Sequence, residues 1–212
     1  MSDHDTKPSQ PLTVVEGARA TGLPSKAEAQ AAVRTLIRWT GEDPDREGVV
    51  ATPDRVVRAY QDFYSGYGQD AIKELRAALE PAAGYDEMIL MKNIRVTSHC
   101  EHHMVAIVGT AHVAYVPGEH LVGLSKVARV VEIFARRMQI QEGLTAQIAN
   151  ALHEALDPRG VAVLIDAEHQ CMTTRGINKP GMSTVTTKMI GAFKTDDRLR
   201  REFTERATMG LG

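Results

Sequence analysis

Cysteine is scarce in this 212-residue chain, with two in all, 71 positions apart at Cys100 and Cys171. That excludes a disulfide-stapled secreted scaffold and, in a reducing compartment, turns attention to metal or catalytic roles. Neither sign of charge dominates: 25 basic and 27 acidic residues leave a formal net charge of −2. No field extends over the surface to hold a nucleic acid or an anionic membrane, so any bound anion must be caught by a local cluster. No run approaches the roughly 20 apolar residues of a membrane span, and the start "MSDHDTKPSQ" has no apolar signal-peptide region. A cytoplasmic enzyme or binding protein without membrane or nucleic-acid partners is expected. Aromatics are few, at 5%, but the apolar fraction of 43% suffices to bury one core.

The order of elements follows from period and punctuation. Residues 1–24 are polar, carry Pro8, Pro11 and Pro24, and read as a flexible arm. "SKAEAQAAVRTLIRWTG" offers Ser25 as N-cap, apolar Val33, Leu36 and Ile37 at helical spacing, and Gly41 as stop. "TPDRVVRAYQDFYSGYG" repeats the device, with Thr52 as cap, Pro53 at the first helical position, and Val56, Val57, Tyr60 and Tyr64 on one face. Together these make an N-terminal helical section, residues 25–84. Residues 85–212 then read as strand pair, helix pair, strand pair and closing helix. The strands are "EMILMKNIRVTS", "MVAIVGTAHVAYVP", "GVAVLIDAEHQC" and "STVTTKMIGAF". The helices are "LSKVARVVEIFARRMQ", with Val127, Val130, Val131, Phe134 and Met138 as its apolar stripe, and "TAQIANALHEALDPRG", capped by Thr145. "DDRLRREFTERAT" closes the chain as a helix capped by Asp196. The expected class is α+β, an antiparallel four-stranded sheet with two helices on one face.

The densest chemistry is "SHCEHHMV", residues 98–105. Zinc takes thiolate and imidazole ligands in a tetrahedron, and catalytic sites keep one position open. Cys100 and His103 form C-x-x-H, a spacing a tight turn can aim at one point, which makes His103 a better ligand than His102. His99 would need a strained bite, leaving a supporting hydrogen bond as its expected role. The distant third ligand is Cys171, at the end of "VAVLIDAEHQC". Strand alternation puts His169 on the same side, about 7 Å away. A closed four-ligand staple is the plainer alternative, but the second ligand hairpin of a zinc finger is missing and spare histidines surround the site.

Lys126 and Arg129 are neighbours at i and i+3 on a helix that Ser125 begins, whose N-terminal N–H groups favour an anion. The plainer reading is a solvated basic face. Arg175 lies four residues beyond Cys171 in a glycine-bearing loop. Glu142, in "QIQEGLT" between the helices, is either an exposed loop carboxylate or an acceptor for the N1–H and N2–H donors of a guanine edge.

Three blocks, "SHCEHHMVAIVGTAHVAYVP", "GLSKVARVVEIFARRMQIQEGLT" and "DAEHQCMTTRGI", resemble the signatures of zinc-dependent GTP cyclohydrolase I, and "ATPDRVVRAYQDFYSGY" resembles its helical lead-in. The resemblance covers roughly residues 26–208. It implies a tunnelling-fold subunit of a homodecamer, two pentameric rings with active sites between subunits. It also implies hydrolytic opening of GTP at C8, release of formate and rearrangement to 7,8-dihydroneopterin triphosphate, the entry to tetrahydrofolate or another pterin. Position by position, Cys100, His103 and Cys171 match zinc ligands. His102 matches the histidine that protonates N7, His169 a second catalytic histidine, and Ser125 a hydroxyl near the ribose. Lys126, Arg129, Arg175 and Arg55 match triphosphate contacts, and Glu142 matches the guanine anchor. Gly143 departs from the family's usual arginine, which suggests a looser segment presenting Glu142. A zinc nucleoside deaminase lacks its H-x-E and P-C-x-x-C signatures here. A non-catalytic purine sensor would bind GTP without releasing formate, and would have no need of His102, His169 and Ser125 together.

Overall fold

A computed structural model describes residues 22–209. The proposed arm, 1–24, lies almost wholly outside the described residues. The chain runs α1 (Lys26–Trp39), α2 (Thr52–Phe63), α3 (Ala71–Arg76), β1 (Leu79–Pro81), β2 (Ile89–Cys100), β3 (Ala106–Val116), β4 (His120–Val122) and α4 (Leu124–Ala135). It continues with β5 (Met138–Gln139), α5 (Gln141–Leu156), β6 (Gly160–His169), α6 (Gln170–Thr173), β7 (Ser183–Gly191), α7 (Ala192–Thr195) and α8 (Asp197–Thr208).

The expected antiparallel sheet is β2-β3-β6-β7, and a two-residue strand joins its edge, giving the order β5-β2-β3-β6-β7. That added strand, β5, pairs parallel with β2, placing Met138 beside His99 and Gln139 beside Cys100. Met138 therefore belongs to the sheet and not to the apolar stripe of α4, which ends at Ala135. Alternation along the strands builds two cores. Ala111, Val113, Tyr115, Val161, Val163 and Ile165 pack against Val127, Val130, Val131 and Phe134 of α4 and Leu144, Ile148 and Leu152 of α5. On the opposite face, Ala114, Val116, Ala162 and Leu164 meet Phe193, Phe203 and Ala207. The two phenylalanine rings there are edge-to-face at 5.8 Å. Hence α4 and α5 cover one face as expected, and α7 and α8 close part of the other.

The N-terminal section divides in two. Ser25 caps α1 through a capping box, its Oγ accepting from the Glu28 N–H at 3.2 Å while Glu28 Oε2 accepts from the Ser25 N–H at 2.7 Å. No residue of α1 is buried, and Trp39 is 84% exposed. Its ties to α2 include Gln30 to Asp54 at 3.0 Å and Lys26 to Asp54 at 2.7 Å. Thr52 is the first residue of α2 and not its cap, because Ala51 precedes it without a side-chain bond. By contrast α3, a short helix with no clear period in the sequence, sinks Ala71 and Leu75 into the main core, and β1 pairs with β4.

Candidate metal and anion site

The hairpin between β2 and β3 is tight because Met104 adopts a left-handed φ of 55°. The Met104 N–H bonds the Cys100 carbonyl at 2.8 Å and the Cys100 N–H bonds the Val105 carbonyl at 2.9 Å. The Glu101 N–H reaches Gln139 of β5 at 3.0 Å, tying the turn to the sheet edge. This closure aims Cys100 and His103 at a common point. From the far end of β6 the chain turns into α6, so Cys171 sits in a short helix instead of the strand, and strand alternation does not relate it to His169.

The donor atoms of Cys100, His103 and Cys171 all lie within 4.8 Å of one another. Both thiols are buried, while His103 is open to solvent. Burial, and next the nearby Cys100, push the Cys171 thiol above its ordinary range. Two buried thiols beside an imidazole form a donor set that a thiophilic cation would satisfy. A tetrahedral zinc with Zn–S bonds of about 2.3 Å sets its sulfurs about 3.8 Å apart, a separation that fits within the 4.8 Å span of this cluster. His102 Nδ1 lies 3.8 Å from the Cys100 sulfur and His103 Nδ1 3.9 Å. Distance to Cys100 alone does not separate them. Convergence with Cys171 does, and it selects His103.

His169 is held by a network that the sequence does not advertise. Its Nε2 is 2.8 Å from Oε1 of Gln141, a side chain only 1% exposed. The Gln141 amide nitrogen donates to the carbonyls of Thr184 at 2.7 Å and Ile165 at 3.1 Å, and contacts Thr186 Oγ1 at 3.1 Å. Carbonyls cannot donate, so the amide orientation is fixed and Oε1 must accept. His169 therefore carries its proton on Nε2. Burial holds the ring's pKa below the ordinary imidazole value, against a smaller opposing pull from Glu142. The neutral ring thus presents an unprotonated Nδ1. Gln141 was hidden because "QIQEGLT" reads as a loop, whereas α5 begins at Gln141 with Ile140 as its cap residue. Thr145, expected to cap this helix, is buried one turn inside, its hydroxyl bonded to the Gln141 carbonyl at 2.7 Å.

Glu142 consequently stands in the first turn of α5, exposed. Gly143 is buried in the same turn, and a Cβ there would meet Ile140 Cγ1 at 3.3 Å. The segment presenting Glu142 is helical, not a loosened loop. Ser125 is the second residue of α4, which starts at Leu124, one residue earlier than expected. Lys126 and Arg129 both turn toward Glu74 of α3, at 2.8 Å and 3.1 Å. Arg175 is exposed but near enough to favour the Cys171 thiolate. Arg55 is exposed on α2 and makes no hydrogen bond or ion pair with the other candidates among the described residues. His99 does not make the supporting hydrogen bond expected of it. Its ring lies 4.6 Å from Phe63 and 5.3 Å from Tyr64, and its buried Nδ1 has no partner among the described residues.

Two buried thiols and an imidazole converging at one end of the sheet, with further histidines beside them, define the class of proteins whose site could hold a metal ion, and Lys126 and Arg129 form a separate cationic patch in the first half of α4. Residues 29–208 match the sequence profile of GTP cyclohydrolase I. The GTP cyclohydrolase 1 of Maricaulis maris (strain MCS10) is 58% identical over 180 residues, covering 85% of this chain and 88% of the relative. That of Brucella canis is 55% identical over 194 residues, 92% of this chain and 91% of the relative. The chain belongs to the GTP cyclohydrolase I family. Among solved structures, an apo archaeosine synthase QueF-Like is similar at 15% identity and TM-score 0.40, over 49% of this chain and 93% of that one. A guanine-bound dihydroneopterin aldolase from Burkholderia thailendensis follows at 14% identity and TM-score 0.34, over 52% and 95%. Likenesses of that size add nothing to the fold class, which the sheet and its helices define directly.

Proposed function

We propose that this chain hydrolyses GTP at C8, releases that carbon as formate and rearranges the remainder to 7,8-dihydroneopterin triphosphate. The observation that carries the reading is the convergence of Cys100, His103 and Cys171 within 4.8 Å from two distant parts of the chain, in a member of this family. These three residues would hold Zn2+, which when bound lowers the pKa of water enough to supply a nucleophile at neutral pH. His102, exposed beside the cluster, protonates N7 and makes C8 electron-poor, acting as the general acid. His169, with its proton fixed on Nε2, offers Nδ1 as an acceptor in the later proton transfers. Glu142 accepts from N1–H and N2–H of the guanine. Lys126, Arg129 and Arg175, with Arg55 from α2, engage the triphosphate, and Ser125 lies toward the ribose.

The reading extends to assembly. A helix with no buried residue and an 84%-exposed tryptophan suits a subunit whose N-terminal section packs on neighbours, as in a homodecamer with active sites between chains. We read residues 25–84 as that section and 85–212 as the catalytic part, with the product feeding pterin and tetrahydrofolate synthesis in the cytoplasm. No helix among the described residues is long and apolar enough to cross a membrane. The test is metal dependence. Protein stripped by a chelator should lose turnover of GTP and regain it on addition of zinc. Undiminished formate release from metal-free protein would overturn the zinc assignment.

A further inference from the structure

The two cations on α4 are already occupied. Lys126 Nζ and Arg129 Nε approach the same oxygen, Oε1 of Glu74, at 2.8 Å and 3.1 Å. Glu74 comes from α3, whose Leu75 is fully buried between the sheet and the helices, so the carboxylate is delivered by a fixed element and not by a flexible loop. Its side chain and that of Lys126 are only 28% and 27% exposed. A single oxygen shared by an ammonium and a guanidinium has the geometry of a phosphate oxygen held by the same pair. The hydrogen bond from Lys126, helped by the charges of Lys126 and Arg129, keeps the Glu74 carboxyl below the usual carboxylate range, so it is ionised at neutral pH. Arg129, but neither Lys126 nor Glu74, also lines a cavity of about 530 Å³ with Phe63, Gln69, Arg136 and the carboxylates of Asp62 and Glu132.

We propose that Glu74 is a positioning residue that acts as an internal competitor for the substrate's triphosphate. It holds Lys126 and Arg129 converged in the free protein and must surrender both when a polyphosphate enters. This rests on the reading that Lys126 and Arg129 bind the triphosphate. Entry then exchanges one anion for another at the same cations. A single-charge anion gains little by that exchange, whereas a triphosphate brings several charges against the one it displaces. Glu74 thereby raises the threshold for phosphate and similar small anions while leaving the site open to a nucleoside triphosphate.

The test compares the full-length protein with its Glu74→Gln, Glu74→Asp and Lys126→Met variants, using GTP kinetics and inhibition by inorganic tripolyphosphate. Partly exposed pairs of this kind are screened by solvent and couple weakly, so Glu74→Gln should tighten both KM for GTP and tripolyphosphate inhibition by about fivefold. The change should be confined to KM and shrink as ionic strength rises. Glu74→Asp, which keeps the charge, should stay near the parent. A KM that rises or stays put in Glu74→Gln while Lys126→Met weakens tripolyphosphate inhibition overturns the competitor role alone. Unaltered tripolyphosphate inhibition in Lys126→Met overturns the triphosphate reading itself, and the inference with it.

Discussion

Gln141→Met examines the least expected part of the site. Methionine keeps the length and nearly the volume of glutamine, so packing changes little. What disappears is the 2.8 Å bond that fixes the His169 tautomer, along with the donor serving the carbonyls of Ile165 and Thr184. Leaving buried acceptors unpaired costs about 1–3 kcal/mol. For a chain of this size each kcal/mol lowers Tm by roughly 2–4 °C, so a fall of several degrees is expected. The orienting bond itself is worth about 0.5–1.5 kcal/mol, or roughly two- to thirteenfold in rate. Complete loss of a proton-transfer group costs about 10²–10⁴. Steady-state assays at saturating GTP should therefore show kcat reduced by about tenfold, with metal content and KM close to the parent. If kcat stays within twofold while Tm falls, Gln141 supports only the fold and the tautomer assignment is wrong.

Cys171→Ser should lose bound metal and turnover together, read by elemental analysis and formate release, because serine is a poor ligand for a soft site. His102→Ala should retain the metal and lose ring opening, so a metal-free His102→Ala protein would make His102 a ligand. Stability should fall on mild acidification. His112, fully buried with neither ring nitrogen bonded among the described residues, has its pKa depressed by burial and next by Lys92, against a smaller opposing pull from Asp166. Below about pH 6.5 the unfolded chain takes up a proton that folded His112 refuses, and the loss continues until the pH passes the lower folded pKa. His112→Leu should flatten the decline of Tm between pH 7.5 and 5.5, and equal slopes in both proteins would refute this source of acid sensitivity.

Long periodic segments were legible in the sequence because burial enforces them: β3 and β6 alternate between two cores, and α4 shows its stripe through Phe134. Short elements were not. α3, β5 and α6 are six, two and four residues long, too short for any period to declare itself, and they exist because neighbours hold them. The same limit governs the site. Cys100 and His103 could be paired by local spacing, and Cys171 was reached because no other cysteine remained. Gln141 and Glu74 were invisible because their partners lie 28 and 52 positions away. His99 shows the opposite error: a histidine beside a ligand suggested a hydrogen bond, but α2 and the segment after it supply Phe63 and Tyr64 to pack its ring.

The most direct test follows the carbon atom. Purified protein loaded with zinc is incubated with GTP carrying 13C at C8, and the label is tracked by NMR. Label appearing in free formate, one per GTP consumed, together with a pterin that fluoresces after oxidation, is the predicted result. Label that remains in the nucleotide while GTP is bound would contradict the account and leave a purine-binding protein without this chemistry.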